Sequence, residues 1–153
     1  MNPNSAGKRL VVRVYGLLIN TAQQVLTVSE TFRGVALHKF PGGGLEWGEG
    51  PLDCVKREFR EETGWDIPFE QHFYTTDFFQ PSAFGANDQI LSLYYFCFQP
   101  FRDDTLPGAG AEAGLTFHWT PIEPGLIESL TLPIDQKVAE RLIRVREREG
   151  LEE

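Results

Sequence analysis

The sequence predicts one α/β domain, a layered sandwich built on a mixed β-sheet. Three observations predict it. The chain has 153 residues, the size of one compact domain with little room for a second. Short runs rich in Val, Leu, Ile and aromatics alternate irregularly with two stretches of helical periodicity, without the repeat of a parallel βαβ array. Finally, 41% hydrophobic and 12% aromatic residues supply a sizeable core, and 24% charged residues are ordinary for a soluble globule. The expected domain runs over residues 1–153, with no internal repeat, low-complexity tract or linker.

The elements follow in order. Leu10 to Ile19 reads as a buried strand, and Gln24 to Ser29 as a second, hairpinned to it across residues 20–23. Val35 to Phe40 reads as a short third strand, stopped by Pro41 and the glycines behind it. Pro51 suits the first turn of a helix that runs to about Thr63, with Gly64 as its C-terminal stop. Phe73 to Phe79 and Ile90 to Phe98 are aromatic strands separated by a loop, and Leu115 to Trp119 is another short strand. Ile134, Val138, Leu142 and Val145 recur at helical spacing, which predicts an amphipathic C-terminal helix over about 134–148.

Composition also bounds the compartment and the partners. No stretch approaches the roughly 20 apolar residues of a membrane-spanning helix, and the first residues lack the apolar run of a secretory signal. Cys54 and Cys97 have no neighbouring Cys or His at zinc-site spacing, so two buried thiols in a reducing, cytoplasmic setting are expected. The formal charge is −8, which argues against a broad basic surface for nucleic acid. It leaves a nucleotide substrate open, because a bound divalent cation reverses the local sign. A homodimer is equally open.

The charge is unevenly placed. Residues 1–45 hold Lys8, Arg9, Arg13, Arg33 and Lys39 against Glu30 alone. Residues 46–66 hold Glu46, Glu49, Asp53, Glu58, Glu61, Glu62 and Asp66 against Lys56, Arg57 and Arg60, so half of the net charge sits in this short segment. On its helix, Leu52, Val55 and Phe59 share an apolar face, and Glu58, Glu61 and Glu62 fall within a sector of about 100° beside it. Like charges three and four residues apart repel by a few tenths of a kcal/mol per pair when exposed, roughly, and by more when buried. A hard divalent cation removes that cost, and carboxylate oxygens are its preferred ligands. Lys56 and Arg57 offer a metal-free alternative, a neutralised and solvated helix face. The entry through Pro41-Gly42-Gly43-Gly44 favours a ligand, since glycine backbone allows close approach.

Gly43, five residues, Glu49, seven residues, Arg57-Glu58-Phe59, one residue, Glu61-Glu62, one residue and Gly64-Trp65 together resemble the Nudix box at every fixed position. Seven specified residues at about 6% frequency each coincide by chance only a few times in roughly 10⁹ windows, so the motif (residues 43–65) is specific. Trp65 stands where an aliphatic residue is usual, and the position stays hydrophobic. The resemblance implies a Nudix-type α/β/α sandwich and hydrolysis of a nucleoside diphosphate linked to another moiety, with Mg²⁺ or Mn²⁺ as cofactor. It implies that Glu58, Glu61 and Glu62 bind metal, that Arg57 orients carboxylates, and that Glu49 is a helix-entry anchor or outer ligand. Gly43 and Gly44 would shape the substrate approach, and Gly64 ends the helix.

The base is either a box glutamate, Glu61, or an acid on a later loop, for which Glu112 resembles the distal glutamate of several members. His38 and His118 read as structural. Among the aromatics, Phe79 is a stacking candidate. Pro81, sixteen residues after Trp65, resembles the spacing of ADP-ribose-type members. The substrate is therefore expected to be a nucleotide, a nucleotide sugar or an ADP-ribose-like compound. Two alternatives remain: a non-catalytic nucleotide-binding or regulatory module of the same fold, which predicts a damaged box, and an RNA-end hydrolase of the decapping type, which needs a basic channel.

Overall fold

A computed structural model describes residues 7–99, 105–108 and 112–149. The elements run β1 (Arg9–Ile19), β2 (Gln24–Phe32), β3 (Val35–Lys39), β4 (Gly42–Gly44), α1 (Pro51–Thr63), β5 (Gln71–Thr75), β6 (Asp88–Phe98), β7 (Thr116–Pro121), α2 (Pro124–Ser129) and α3 (Pro133–Glu149). The strands form one sheet in the order β3-β2-β1-β6-β5, with β4 paired to β1 and β7 to β2. β1 and β6 are parallel from Arg9–Asp88 to Ile19–Phe98, and the other named pairs are antiparallel. The sheet is mixed, as expected.

β1 shows why helices must lie on both faces. Val14 through Ile19 are all buried, and successive side chains of a strand point to opposite faces. Tyr15, Leu17 and Ile19 pack with Ile122, Leu126, Leu130, Ile134, Val138 and Leu142 on the α2–α3 side. Val14 and Leu18 pack with Cys54, Val55, Phe59, Ile67 and Phe69 on the α1 side. Gly16 belongs to the second set, and a Cβ there would lie 2.5 Å from the Phe69 ring. That missing side chain lets α1 settle onto the sheet.

Several expectations need adjustment. β4 arises from glycines that carry no strand pattern of their own and is made by pairing with β1. α2 is an additional element, because six residues opening on Pro124-Gly125 show no helical period by which to expect it. β5 ends at Thr75 rather than Phe79. There the Thr76 side chain and backbone bond the backbone of Ser92, at 2.9 Å for both N–H groups, and replace the ladder. Cys97 is half-buried, whereas Cys54 is fully buried, and both thiols are free. His38 and His118 do have a structural setting, since Ser29 Oγ contacts His38 Nδ1 at 2.9 Å and His118 Nε2 at 3.0 Å across three strands. No helix among the described residues is long and apolar enough to cross a membrane.

Candidate active site

Three glycines bring the sheet and α1 into contact. β4 lies against β1 with Gly44 opposite Arg13, Gly43 opposite Val14 and Gly42 opposite Tyr15. A Cβ on Gly43 would lie 2.5 Å from the carboxyl carbon of Glu58, so only glycine lets that acid reach the strand. The Gly42 N–H donates to Glu62 Oε2 at 3.1 Å. The Cys54 thiol donates to the Gly44 carbonyl at 3.5 Å. Burial and the neighbouring Glu49 push that thiol up to about 12, which makes it a packing group rather than a nucleophile.

α1 holds its acids in register because both of its ends are specified locally. The Gly50 N–H donates to Asp53 Oδ2 at 2.9 Å, satisfying one donor at the N-terminus. Gly64 adopts φ 79° and its N–H returns to the Arg60 carbonyl. Glu58 and Glu62 are therefore one turn apart on the side facing the glycines. Glu62 is 8% exposed, and its carboxyl is pushed up to about 8. Burial is the main cause, Lys39 opposes it, and Glu58 and Glu112 add to it. The Glu58 carboxyl is also raised, chiefly by burial, with Arg57 opposing.

Arg57 ties the loop before α1 to the acids on it. Its Nε and Nη2 donate to the two oxygens of Glu49 at 2.9 and 2.8 Å, a bidentate pair. Nη2 also donates to the Gly44 carbonyl at 3.0 Å, and Nη1 to Glu58 and Glu61 at 3.1 Å each. These bonds from Arg57 hold the Glu49 carboxyl down at about 2. Glu61 is half-exposed and turned to Arg57, so it stands apart from the Glu58–Glu62 pair. Among the described residues, no three acid, His or Cys side chains converge as a ready ion-binding group. Glu58 and Glu62 nevertheless have the chemistry a divalent cation requires: two oxygen-donor groups, partly desolvated and mutually repelling.

A cleft of about 660 Å³ opens beside this pair. Gly42, Gly43, Gly44, Glu58 and Glu62 line it, together with Phe32, Arg33 and Phe84. The Phe32 and Phe84 rings meet edge to face at 5.0 Å, and Arg33 Nη1 donates to the Phe84 carbonyl at 3.1 Å. The hairpin between β2 and β3 is thereby fastened to the loop before β6. Neither Phe79 nor Pro81 is among the lining residues. Phe79 is 70% exposed, and Pro81 bridges to Gln89, leaving its neighbours Gln80 and Ser82 on the cleft. Glu112 is exposed, and its N–H donates to the Glu62 carbonyl at 2.9 Å, so the later loop does meet the end of α1. Residues 109–111 of that loop lie outside the described residues.

Sequence reasoning passed over Arg13, Tyr15 and Lys39, which line the same cleft. A signal was available. Arg13 interrupts the apolar run of β1, and Lys39 is the one cation in β3, where a charged residue on a buried strand is costly without a purpose.

This geometry has relatives. The chain is 32% identical over 139 residues to nucleoside diphosphate-linked moiety X motif 6 of Mus musculus, covering 86% of this chain and 41% of that protein. The curated relatives it matches are longer, and the chain spans 25% to 41% of their lengths. Its fold matches the solution structure of the Escherichia coli ORF135 protein with a TM-score of 0.74 at 17% identity, over 96% of this chain and 98% of the other. It also matches the NUDIX domain of Shewanella oneidensis NrtR, solved with ADP ribose, with a TM-score of 0.63 at 21% identity, over 97% and 93%. The family model of the NUDIX domain matches residues 9–139, and the chain belongs to that family.

Proposed function

We propose that the protein is a metal-dependent pyrophosphohydrolase that cleaves a nucleoside diphosphate linked to a second moiety. The observation that carries this reading is the pair of partly buried Glu58 and buried Glu62, one helical turn apart on the wall of the 660 Å³ cleft and pressed against a strand of glycines. The cleft has room for a nucleotide-sized ligand. An ADP-ribose ligand in the S. oneidensis domain is in keeping with that class.

Glu58 and Glu62 would hold Mg²⁺ or Mn²⁺, with Glu61 at the edge of the set. When bound, the cation supplies charge screening for the diphosphate and lowers the pKa of water. The remaining work falls to the chain itself. Arg57 fixes Glu58 and Glu61 against the loop through Glu49, so the carboxylates are placed before substrate arrives. The glycines of β4 present backbone in place of side chains. Glu112 joins the site through its bond to the Glu62 carbonyl, and its carboxylate has no hydrogen-bond partner among the described residues. We assign it the proton of the attacking water. The new P–O bond forms as the bridging P–O bond breaks, and two phosphate monoesters leave.

A panel of nucleoside diphosphate derivatives incubated with Mg²⁺, followed by phosphatase and an orthophosphate assay, tests the reaction and identifies the second moiety. Activity should vanish with chelator and return with Mg²⁺. Hydrolysis that survives Glu61→Gln and Glu62→Gln together would overturn the metal assignment, and an unchanged rate in Glu112→Gln would remove the proposed base.

A further inference from the structure

Two cations in the cleft have no role in the scheme above. Arg13 on β1 and Lys39 on β3 both line it, alongside Glu58 and Glu62. They are mounted on one ring. The guanidinium carbon of Arg13 and Nζ of Lys39 each lie 5.8 Å from the centroid of Tyr15. Arg13 Nε donates to the Tyr15 hydroxyl at 2.7 Å. Tyr15 in turn stacks on Tyr94 at 5.1 Å, and the Tyr94 hydroxyl donates to the buried Asp135 at 2.6 Å. The ring that carries the two cations is thus fixed from below by the core.

The other cations that line the cleft are already engaged: Arg9 pairs with Asp88 at 2.8 Å, and Arg33, without an ion pair among the described residues, donates Nη1 to the Phe84 carbonyl. Arg13 makes no ion pair within 4 Å among the described residues, and its only hydrogen bond there uses Nε, which leaves both Nη groups uncommitted. The Lys39 side chain is 7% exposed, and its single ion pair among the described residues, to Glu30, is long at 3.5 Å. A nearly buried ammonium with one long ion pair, beside a guanidinium whose Nη groups make no hydrogen bond among the described residues, leaves positive charge available on the cleft wall. It suits an incoming group with several anionic oxygens, since the guanidinium fork takes two oxygens of a phosphate and the ammonium acts as a compact point charge. The alternative is that both merely offset Glu58 and Glu62. Lys39 does act on Glu62, and Arg13 on both acids, through space, yet neither forms an ion pair with them within 4 Å among the described residues. The direct contacts of Glu58 and Glu62 go to Arg57 and to the Gly42 N–H, and the Nη groups of Arg13 stay open to a further anion.

We propose that Arg13 and Lys39, carried on Tyr15, form the diphosphate-binding pair of this cleft, Arg13 with its free Nη groups and Lys39 with its ammonium. Tyr15 is a positioning residue for Arg13. The proposal rests on the hydrolase reading for its biological substrate, but inorganic pyrophosphate tests it separately.

Calorimetric titration of the full chain with inorganic pyrophosphate, without metal, gives the direct readout. Arg13→Met and Lys39→Met are each expected to weaken binding by roughly 10- to 100-fold, the loss typical of a hydrogen bond to a charged group. Arg13→Lys keeps the charge but loses the fork and should recover part of that loss. Tyr15→Phe should raise KM for the hydrolysed substrate several-fold with kcat within twofold, a split that simple loss of folded protein does not produce. If Arg13→Met fails to fold, Arg13→Lys and Tyr15→Phe decide the matter. Pyrophosphate affinity within twofold of wild type in the Arg13 and Lys39 variants, or no binding by the wild-type protein, overturns the proposal. Arg13-dependent binding in a protein that hydrolyses nothing in the substrate panel sinks the hydrolase reading and leaves the pair standing. Hydrolysis with pyrophosphate binding indifferent to Arg13 does the reverse.

Discussion

The carboxyl carbon of Glu58 lies 2.5 Å from the point at which Gly43 would carry a Cβ. The two residues are fifteen positions apart, and their approach puts an acid of α1 into the glycine strand. Gly43→Ala must therefore push Glu58 away or strain β4. We expect a loss of about 1–3 kcal/mol in stability, the usual cost of overpacking, and at least a tenfold fall in hydrolysis. Gly44→Ala is the contrast, because nothing lies within 4 Å of its Cβ position. Urea unfolding of the two variants should separate them, and equal midpoints would show that Glu58 simply swings aside.

Arg57→Lys keeps a positive charge but cannot reproduce the fork on Glu49 or the reach to the Gly44 carbonyl. The two side chains are only 21% and 13% exposed, so solvent screens the pair weakly. A loss of about 1–3 kcal/mol follows from hydrogen bonds to charged groups. Activity should fall with it, since Glu58 and Glu61 lose their common anchor. Unchanged denaturant midpoints would mean that the Glu49 bridge contributes nothing to the fold.

Glu61 and Glu62 should behave differently despite being adjacent. Glu62 is buried with its carboxyl near 8, so Glu62→Gln removes an acid that is mostly uncharged at neutral pH and keeps an acceptor for the Gly42 N–H. Thermal stability should hold or rise while hydrolysis falls at least roughly 100-fold. Glu61→Gln, on the half-exposed side with Arg57, should cost nearer tenfold, the scale of an outer partner of a metal site. Equal losses in the two variants would contradict this division.

Asp135 provides a pH test outside the cleft. It is fully buried, accepts from Tyr94 and the Phe40 N–H, and its carboxyl is pushed up to about 6, chiefly by burial. A raised acid makes the folded state bind a proton more tightly than the unfolded chain does. Its contribution is therefore complete below pH 4 and lost as pH rises through 6, with a span of about 3 kcal/mol. Denaturant titrations from pH 4 to 7 should show wild type losing stability relative to Asp135→Asn as pH rises. A pH-independent difference between the two proteins would refute the shift.

Particular residues show how far the sequence could be read. α1 was legible because its limits are local: Pro51 has a fixed φ suited to a first turn, and Gly64 tolerates the left-handed cap. The box acids were legible because their spacing is itself the motif. α2 and β4 were not, since six residues and three glycines carry too little periodicity, and both are made by what they touch. The aromatic run to Phe79 suggested a longer β5, but Thr76 found Ser92 and ended the ladder. Phe79 and Pro81 illustrate the same limit, for aromatic content does not say which residues of a loop face a cleft.

By itself, the sequence determined the fold class, the family and the helix that carries the acids, because each depends on spacing within a few turns of chain. Tertiary structure alone decided which of those acids are buried. It turned Glu62 and Glu58 inward and left Glu61 with Arg57. It also brought Arg13, from β1, and Lys39, from β3, to the ring of Tyr15. Burial and charge proximity are properties of packing between distant segments, and no local pattern encodes which cation a folded sheet will place beside which carboxylate.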